Sequence, residues 1–250
     1  MIIAVSGKGG TGKTMVSALL IRAMAEKGKY DILAIDSDPD SNLPEALGVE
    51  VEKTIGEIRE ELLGERDKLP IGTSWQQKLE YEAMRALVET DEFDLLSMGR
   101  PEGPGCYCAA NNVLREIIDT IAKNYDIVII DTEAGLEHLS RRTTQNVDIM
   151  LVVTDTSKRG ITTAARIKEL AGELKIKFSR LNVIMNRVTP ELEDRIKNSV
   201  NDIGLEVAGT VPEDELIREF DVEGKPLTEL PEESKAYRAI KGIANRLELG

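Results

Sequence analysis

The segment GKGGTGKT, positions 7–14, follows one apolar run and precedes a stretch of helical periodicity, and its residue types suit one task. Glycine at 7, 9, 10 and 12 lets the backbone curl so that its N–H groups face a phosphate, and the N-terminus of the next helix adds a favourable dipole. That spacing sets Lys13 against β and γ phosphates and the Thr14 hydroxyl against Mg²⁺. Nucleotide contacts are expected along Gly9, Gly10, Thr11, Gly12, Lys13, Thr14 and Met15. Lys8 is a further cation that the plain phosphate pattern does not require.

Polar residues also end other apolar runs. IDSDPDSNL brings Asp36, Asp38, Asp40 and Asn42 just past the end of a strand, the edge where open α/β sheets gather ligands. For Asp36 and Asp40, a role limited to capping or solvating the turn weighs as much as a functional one. Asp131 ends DIVIID, where it can orient the water shell of Mg²⁺. A strand-terminal Asp is also a common helix cap, and the phosphate loop upstream tips the balance toward the metal. Asn186 ends VIMN, a position that also suits a turn former.

GCYCAA holds the only two cysteines of the chain, Cys106 and Cys108. A disulfide between them would close a small strained ring. In an extended segment, residues two apart project to the same side, so both sulfurs can meet one metal ion. A structural zinc site wants four ligands, and the simplest source of the missing pair is a second copy of the chain.

Holding these groups takes a sheet with helices on both faces. Short β-branched runs (IIAVS, DILAID, DLLSM, DIVIID, DIMLVV, LNVIMN, EVAGTV) alternate with helical stretches such as TMVSALLIRAMAEKG, GITTAARIKELAGELK, PELEDRIKNSVNDIG and the last, ESKAYRAIKGIANRLEL. Uninterrupted apolar runs fit strands buried on both faces of a mostly parallel sheet. The expectation is one α/β domain over 1–250, with an irregular, charged elaboration at about 51–92 broken near Pro70 and Gly72.

With 41% apolar residues in 250, the chain can bury one substantial core. No apolar run approaches the roughly 20 residues that span a bilayer. The formal net charge of −13 argues against a general nucleic-acid binder. Two reduced cysteines and a start that leads directly into a strand point to the cytoplasm.

GKGGTGKT with its first lysine, DSDPDSNL and DIVIID together resemble the deviant-Walker ATPases, which include the nitrogenase iron protein and the ATPases that place division sites and partition plasmids. That resemblance implies a nucleotide sandwich dimer, with Lys8 reaching the partner's nucleotide. It also implies that Asp38, in the DP motif, positions the attacking water. Asn42 then falls in a first switch near Mg²⁺, alongside Thr14, Asp38 and Asp131, and TEAGLEHLSRR becomes a second switch. Asn186 with Arg187 would read the adenine edge, and the backbone of Val211, Pro212 and Glu213 would line the base.

GCYCAANN with DTEAGLEHLSRRT is similar to a narrower group, the CooC-type nickel-inserting ATPases that mature carbon monoxide dehydrogenase and acetyl-CoA synthase. It implies that Cys106 and Cys108 of two subunits share one Ni²⁺ or Zn²⁺ across a homodimer, with the apo-dehydrogenase or synthase as client and neither nucleic acid nor membrane as partner. The main rival is a partitioning or division-site ATPase acting on DNA or membrane. It draws on the last helical stretch, where Tyr237, Ile240, Ile243, Ala244 and Leu247 share a face near Lys235, Arg238, Lys241 and Arg246, although packing on the sheet accounts for that face more simply. A metal-storage dimer and an electron carrier are further readings.

Overall fold

Each apolar run becomes a strand because a pleated segment sandwiched between helices needs apolar side chains on both faces. The computed structural model describes residues 1–64, 74–99, 118–133, 146–173 and 177–248. Its strands are β1 (Ile2–Gly7), β2 (Ile32–Asp36), β3 (Val88–Glu89), β4 (Asp94–Ser97), β5 (Ile127–Asp131), β6 (Asn146–Thr154), β7 (Lys177–Val188) and β8 (Glu206–Pro212). They form one sheet in the order β3-β4-β2-β5-β1-β6-β7-β8. Every pairing is parallel except β3 with β4.

The helices are α1 (Lys13–Ala25), α2 (Asn42–Leu47), α3 (Ile55–Gly64), α4 (Trp75–Arg85), α5 (Lys158–Glu173), α6 (Glu193–Asp202), α7 (Glu215–Glu223) and α8 (Lys235–Glu248). Alternate strand residues divide the core. Ile3, Val5, Ile129, Leu151 and Ile184 meet Leu19, Leu20 and Met24 of α1 and Tyr237, Ile240 and Ile243 of α8 on one face. On the other, Leu33, Ile35, Leu96, Val128 and Ile130 meet Ile55, Ile58 and Leu79 of α3 and α4. Met150, Val152 and Val183 meet Ile167 of α5 and Val200 of α6. The α/β expectation therefore holds, with helices on both faces.

Two local outcomes bear on function. Within the irregular stretch at 51–92, α3 and α4 cover the sheet beneath β2, β4 and β5, so those residues close one layer of the core. In α8, Tyr237, Ile240, Ile243, Ala244 and Leu247 are all buried against the sheet. Each large side chain of that face gains roughly 1.5–3 kcal/mol by burial, so the face belongs to the core and does not lie on a membrane. Among the described residues no helix is long and apolar enough to cross a bilayer.

Candidate functional site

β1 lies between β5 and β6, so the chain leaves it toward opposite sides, and a crevice opens at the carboxyl ends of the strands. The loop between Gly7 and Lys13 sits there. A Cβ on Gly7 would lie 2.3 Å from the Val153 carbonyl oxygen. The Thr11 hydroxyl donates to the Lys8 carbonyl at 2.8 Å, closing the loop. Gly12, at φ +89°, caps α1 with no side-chain hydrogen bond and no acidic residue in the first turn, so the helix N-terminus is left for an external anion. Lys13 is buried, whereas Lys8, Gly9 and Gly10 are exposed along the loop rim.

Beneath the loop, the Thr14 hydroxyl donates to Asp131 Oδ2 at 2.7 Å, and the Ser17 hydroxyl donates to Asp131 Oδ1 at 3.0 Å. Thr14 and Ser17 are one helical turn apart, so both face β5. Burial pushes the Asp131 carboxyl up to about 6, against the opposing effect of those two hydroxyls and the Lys13 charge. Asp36, paired with Asp131 across β2 and β5, is raised to about 7, chiefly by burial and also by the Asp131 charge. Its oxygens accept the Asp38 N–H at 3.0 Å and the Leu43 N–H at 3.1 Å. Asp36 is thus the cap of the turn that carries Asp38 and Asn42, as the non-functional of its two sequence readings has it.

Asp38 is half-buried, accepts the Asp40 N–H at 3.0 Å, and lies close enough for its charge to raise Asp131. Asn42 is exposed at the start of α2. The structure therefore brings Lys13, Thr14, Asp38 and Asp131 together around one point, with Asn42 at its margin. Ser17 joins them without having been singled out in the sequence. The signal was available: it stands three residues after Thr14 on a helix.

On the other side of Gly12, Asn186 Nδ2 donates to the Thr11 carbonyl at 2.8 Å, and the Arg187 N–H donates to Asn186 Oδ1 at 2.9 Å. A Cβ on Gly12 would come within 2.4 Å of Asn186 Nδ2. Arg187 takes a left-handed φ of 56°, next to a register shift between β7 and β8. Such backbone conformations concentrate at ligand sites.

A cavity of about 390 Å³ opens here, lined among others by Met15, Asn186, Arg187, Pro212 and Glu213. A second, of about 370 Å³, continues it toward Asn42 and α2. Both share Gly12, Met15, Arg187 and, from α7, Ile217 and Asp221. Val211 is fully buried in the core, so only its backbone remains for a ligand. Sequence reading ended at the VPEDE loop and missed α7, although Asp214 followed by Leu216, Ile217 and Phe220 is a cap and an apolar helical face. Cys106, Cys108, Tyr107, His138 and all but Thr132 and Glu133 of TEAGLEHLSRR, the expected second switch, lie outside the described residues.

An uncharacterized ATP-binding protein of Methanocaldococcus jannaschii is 56% identical over 249 residues, covering 99% of this chain and 98% of the relative. The carbon monoxide dehydrogenase accessory protein CooC of Rhodospirillum rubrum is 35% identical over 189 residues, 71% of each chain. The solved MinD cell division protein of Aquifex aeolicus superimposes with a TM-score of 0.73 at 25% identity, covering 100% of this chain and 97% of that one. A loop built for phosphate, a carboxylate and hydroxyl set beneath it and this run of similarity agree with the family model matched over residues 2–227, and the chain belongs to the CobQ/CobB/MinD/ParA nucleotide-binding domain family.

Proposed function

We propose that the chain is an ATP-hydrolysing metallochaperone that works as a homodimer and assists nickel insertion into carbon monoxide dehydrogenase or acetyl-CoA synthase. The hydroxyl–carboxylate contact between Thr14 and Asp131 at the foot of the phosphate loop carries the ATPase part. Mg²⁺ at Thr14 and Asp131 would neutralise charge on the phosphates, and that hydroxyl and carboxylate fit the cation, while the uncapped helix N-terminus fits the phosphates themselves. The residues do the remaining work. Lys13 sets its ammonium against the β and γ phosphates, while Asp38, held by the Asp36-capped turn, orients the water that takes the terminal phosphoryl group, giving ADP and phosphate. Lys8 from a second copy completes each site.

Asn186 supports adenine as the base. Its bonds to Thr11 and Arg187 use one amide proton and one oxygen lone pair, which leaves one donor and one acceptor. That remainder complements adenine, which offers a ring-nitrogen acceptor beside an amino donor. Guanine presents acceptors at the corresponding edge and matches only half of it.

Similarity to the CooC protein, together with the CYC sequence, supports the metal role, in which Cys106 and Cys108 of two subunits hold one Ni²⁺ or Zn²⁺ as cargo. The alternative of division-site or partition work loses the membrane face its sequence reading relied on, because α8 spends that face on the core. The cytoplasm is the compartment this role requires.

The test is phosphate release with Mg-ATP, measured alongside bound metal, for the wild type and for Cys106→Ser combined with Cys108→Ser after loading with Ni²⁺ or Zn²⁺. One ion per two wild-type chains and none in the double variant is expected. Unchanged metal content in the variant defeats the bridging-thiolate reading, and absence of ATP turnover in every sample defeats the ATPase reading.

A further inference from the structure

The nucleotide reading gives Arg218 no task, yet the structure places it at the mouth of the base cavity. It stands on α7, the helix beyond the VPEDE loop, and lines the same cavity as Met15, Asn186, Pro212 and Ile217. Its Nη2 donates to Glu213 Oε1 at 2.9 Å, an ion pair from the end of β8 to the first turn of α7. Both side chains are more than half exposed, at 70% and 55%. An ion pair that open to water contributes little to folding. It does restrict where the guanidinium can lie.

The cavity around that group has two kinds of wall. Met15, Pro212 and Ile217 supply apolar surface, Asn186 supplies the polar edge, and Arg218 supplies a flat cation at the rim. A heteroaromatic base placed edge-on to Asn186 has two π faces to cover. A guanidinium covers such a face well because it is planar and weakly hydrated, which an ammonium is not.

We infer that Arg218, held in place by Glu213, is a specificity-determining residue that stacks on the exposed face of the nucleotide base and closes the cavity over it. This rests on the nucleotide reading above and adds a second face to the recognition of the base. Selection for a base then comes from two sources, with Asn186 choosing which base and Arg218 favouring any base over none. The ligand class is a purine nucleoside triphosphate. A pyrimidine offers less surface to the clamp and is held less well.

The experiment compares Mg²⁺-loaded ATP with Mg²⁺-loaded inorganic tripolyphosphate, which has the charge and lacks the base, by titration calorimetry on the full chain. In the wild type, ATP is expected to bind the tighter of the two. Arg218→Ala should weaken ATP by about tenfold, the scale of one lost base stack, and leave tripolyphosphate within twofold. Arg218→Lys should remain several-fold weaker for ATP, since it restores charge without the flat face, and Glu213→Gln should fall between that variant and the wild type. An equal loss for ATP and tripolyphosphate in Arg218→Ala, or no loss for ATP, overturns the clamp while leaving the phosphate loop intact. Failure of the wild type to bind either ligand overturns both readings. Exposure of Arg218 makes misfolding of the variants a minor concern, and thermal unfolding of each checks it.

Discussion

The two ends of the crevice are built differently. At the phosphate end, Lys13, Asp36, Asp131 and Ser17 are buried and tied to one another through α1, β2 and β5. At the base end, the wall is α7, in which no residue is fully buried, and its polar side chains stand partly in water. Buried charges fixed by the core are suited to holding a transition state, because their dipoles and charges need no rearrangement. A helix resting on the surface is suited to selecting a ligand, since its side chains change without disturbing the core. The phosphate end should therefore govern turnover, and the base end should govern which nucleotide enters.

That contrast breaks first at Lys13. Lys13→Ala is expected to lower phosphate release about 100- to 1,000-fold under saturating ATP, and full turnover in this variant would remove the phosphate-loop assignment.

Gly12 sits between the two ends, so Gly12→Ala should damage both. Its added Cβ meets Asn186 Nδ2 and its φ of +89° disfavours any side chain. A loss of about 1–3 kcal/mol in unfolding free energy is expected, with weaker binding of ATP and tripolyphosphate alike in calorimetry. Weakening of ATP alone would show the two ends to be independent.

A third prediction follows from the raised carboxyls at the phosphate end. Asp36 and Asp131 hold their protons at pH values where the unfolded chain has given them up, since both are raised from 3.8, to about 7 and about 6. The stability they contribute in the nucleotide-free protein is therefore fully present below about pH 4 and lost as pH rises through their folded values. Thermal melts from pH 5.5 to 8 should show this downward slope, and Asp36→Asn should flatten it. Binding of Mg-ATP at pH 6.5 should also release protons, seen as a binding enthalpy that varies with the ionisation enthalpy of the buffer.

The smallest effect is expected at Ser17. Ser17→Ala removes one hydrogen bond to Asp131, worth about 1 kcal/mol, and should raise the Mg²⁺ concentration needed for half-maximal turnover a few-fold. An unchanged Mg²⁺ requirement would make Ser17 a packing residue only.

The strands were legible in the sequence because a strand buried on both faces leaves a run such as DIVIID that little else produces, and the phosphate loop was legible because its glycines follow from geometry. What escaped the sequence was whatever depends on a partner across the fold. ELIREFDVE carries a readable cap and apolar spacing, but what that apolar side covers, the core cluster built by α1 and α8, is set by the fold. The two-residue β3 exists only because β4 offers an edge. Asp36 stood at even odds until its two N–H donors, from Asp38 and Leu43, showed it to be a cap. Ser17 lay inside a helix that sequence reading treated as scaffold.

The contact between Gly12 and Asn186 also limits how this protein can change through descent. Any lineage that enlarges residue 12 must shrink or displace residue 186, and any that replaces Asn186 frees the carbonyl of Thr11 and loosens the turn before α1. A change of base preference made through Asn186 thus disturbs the phosphate loop as well, whereas one made on α7 leaves that loop untouched, so descendants that use another nucleotide should differ first along α7.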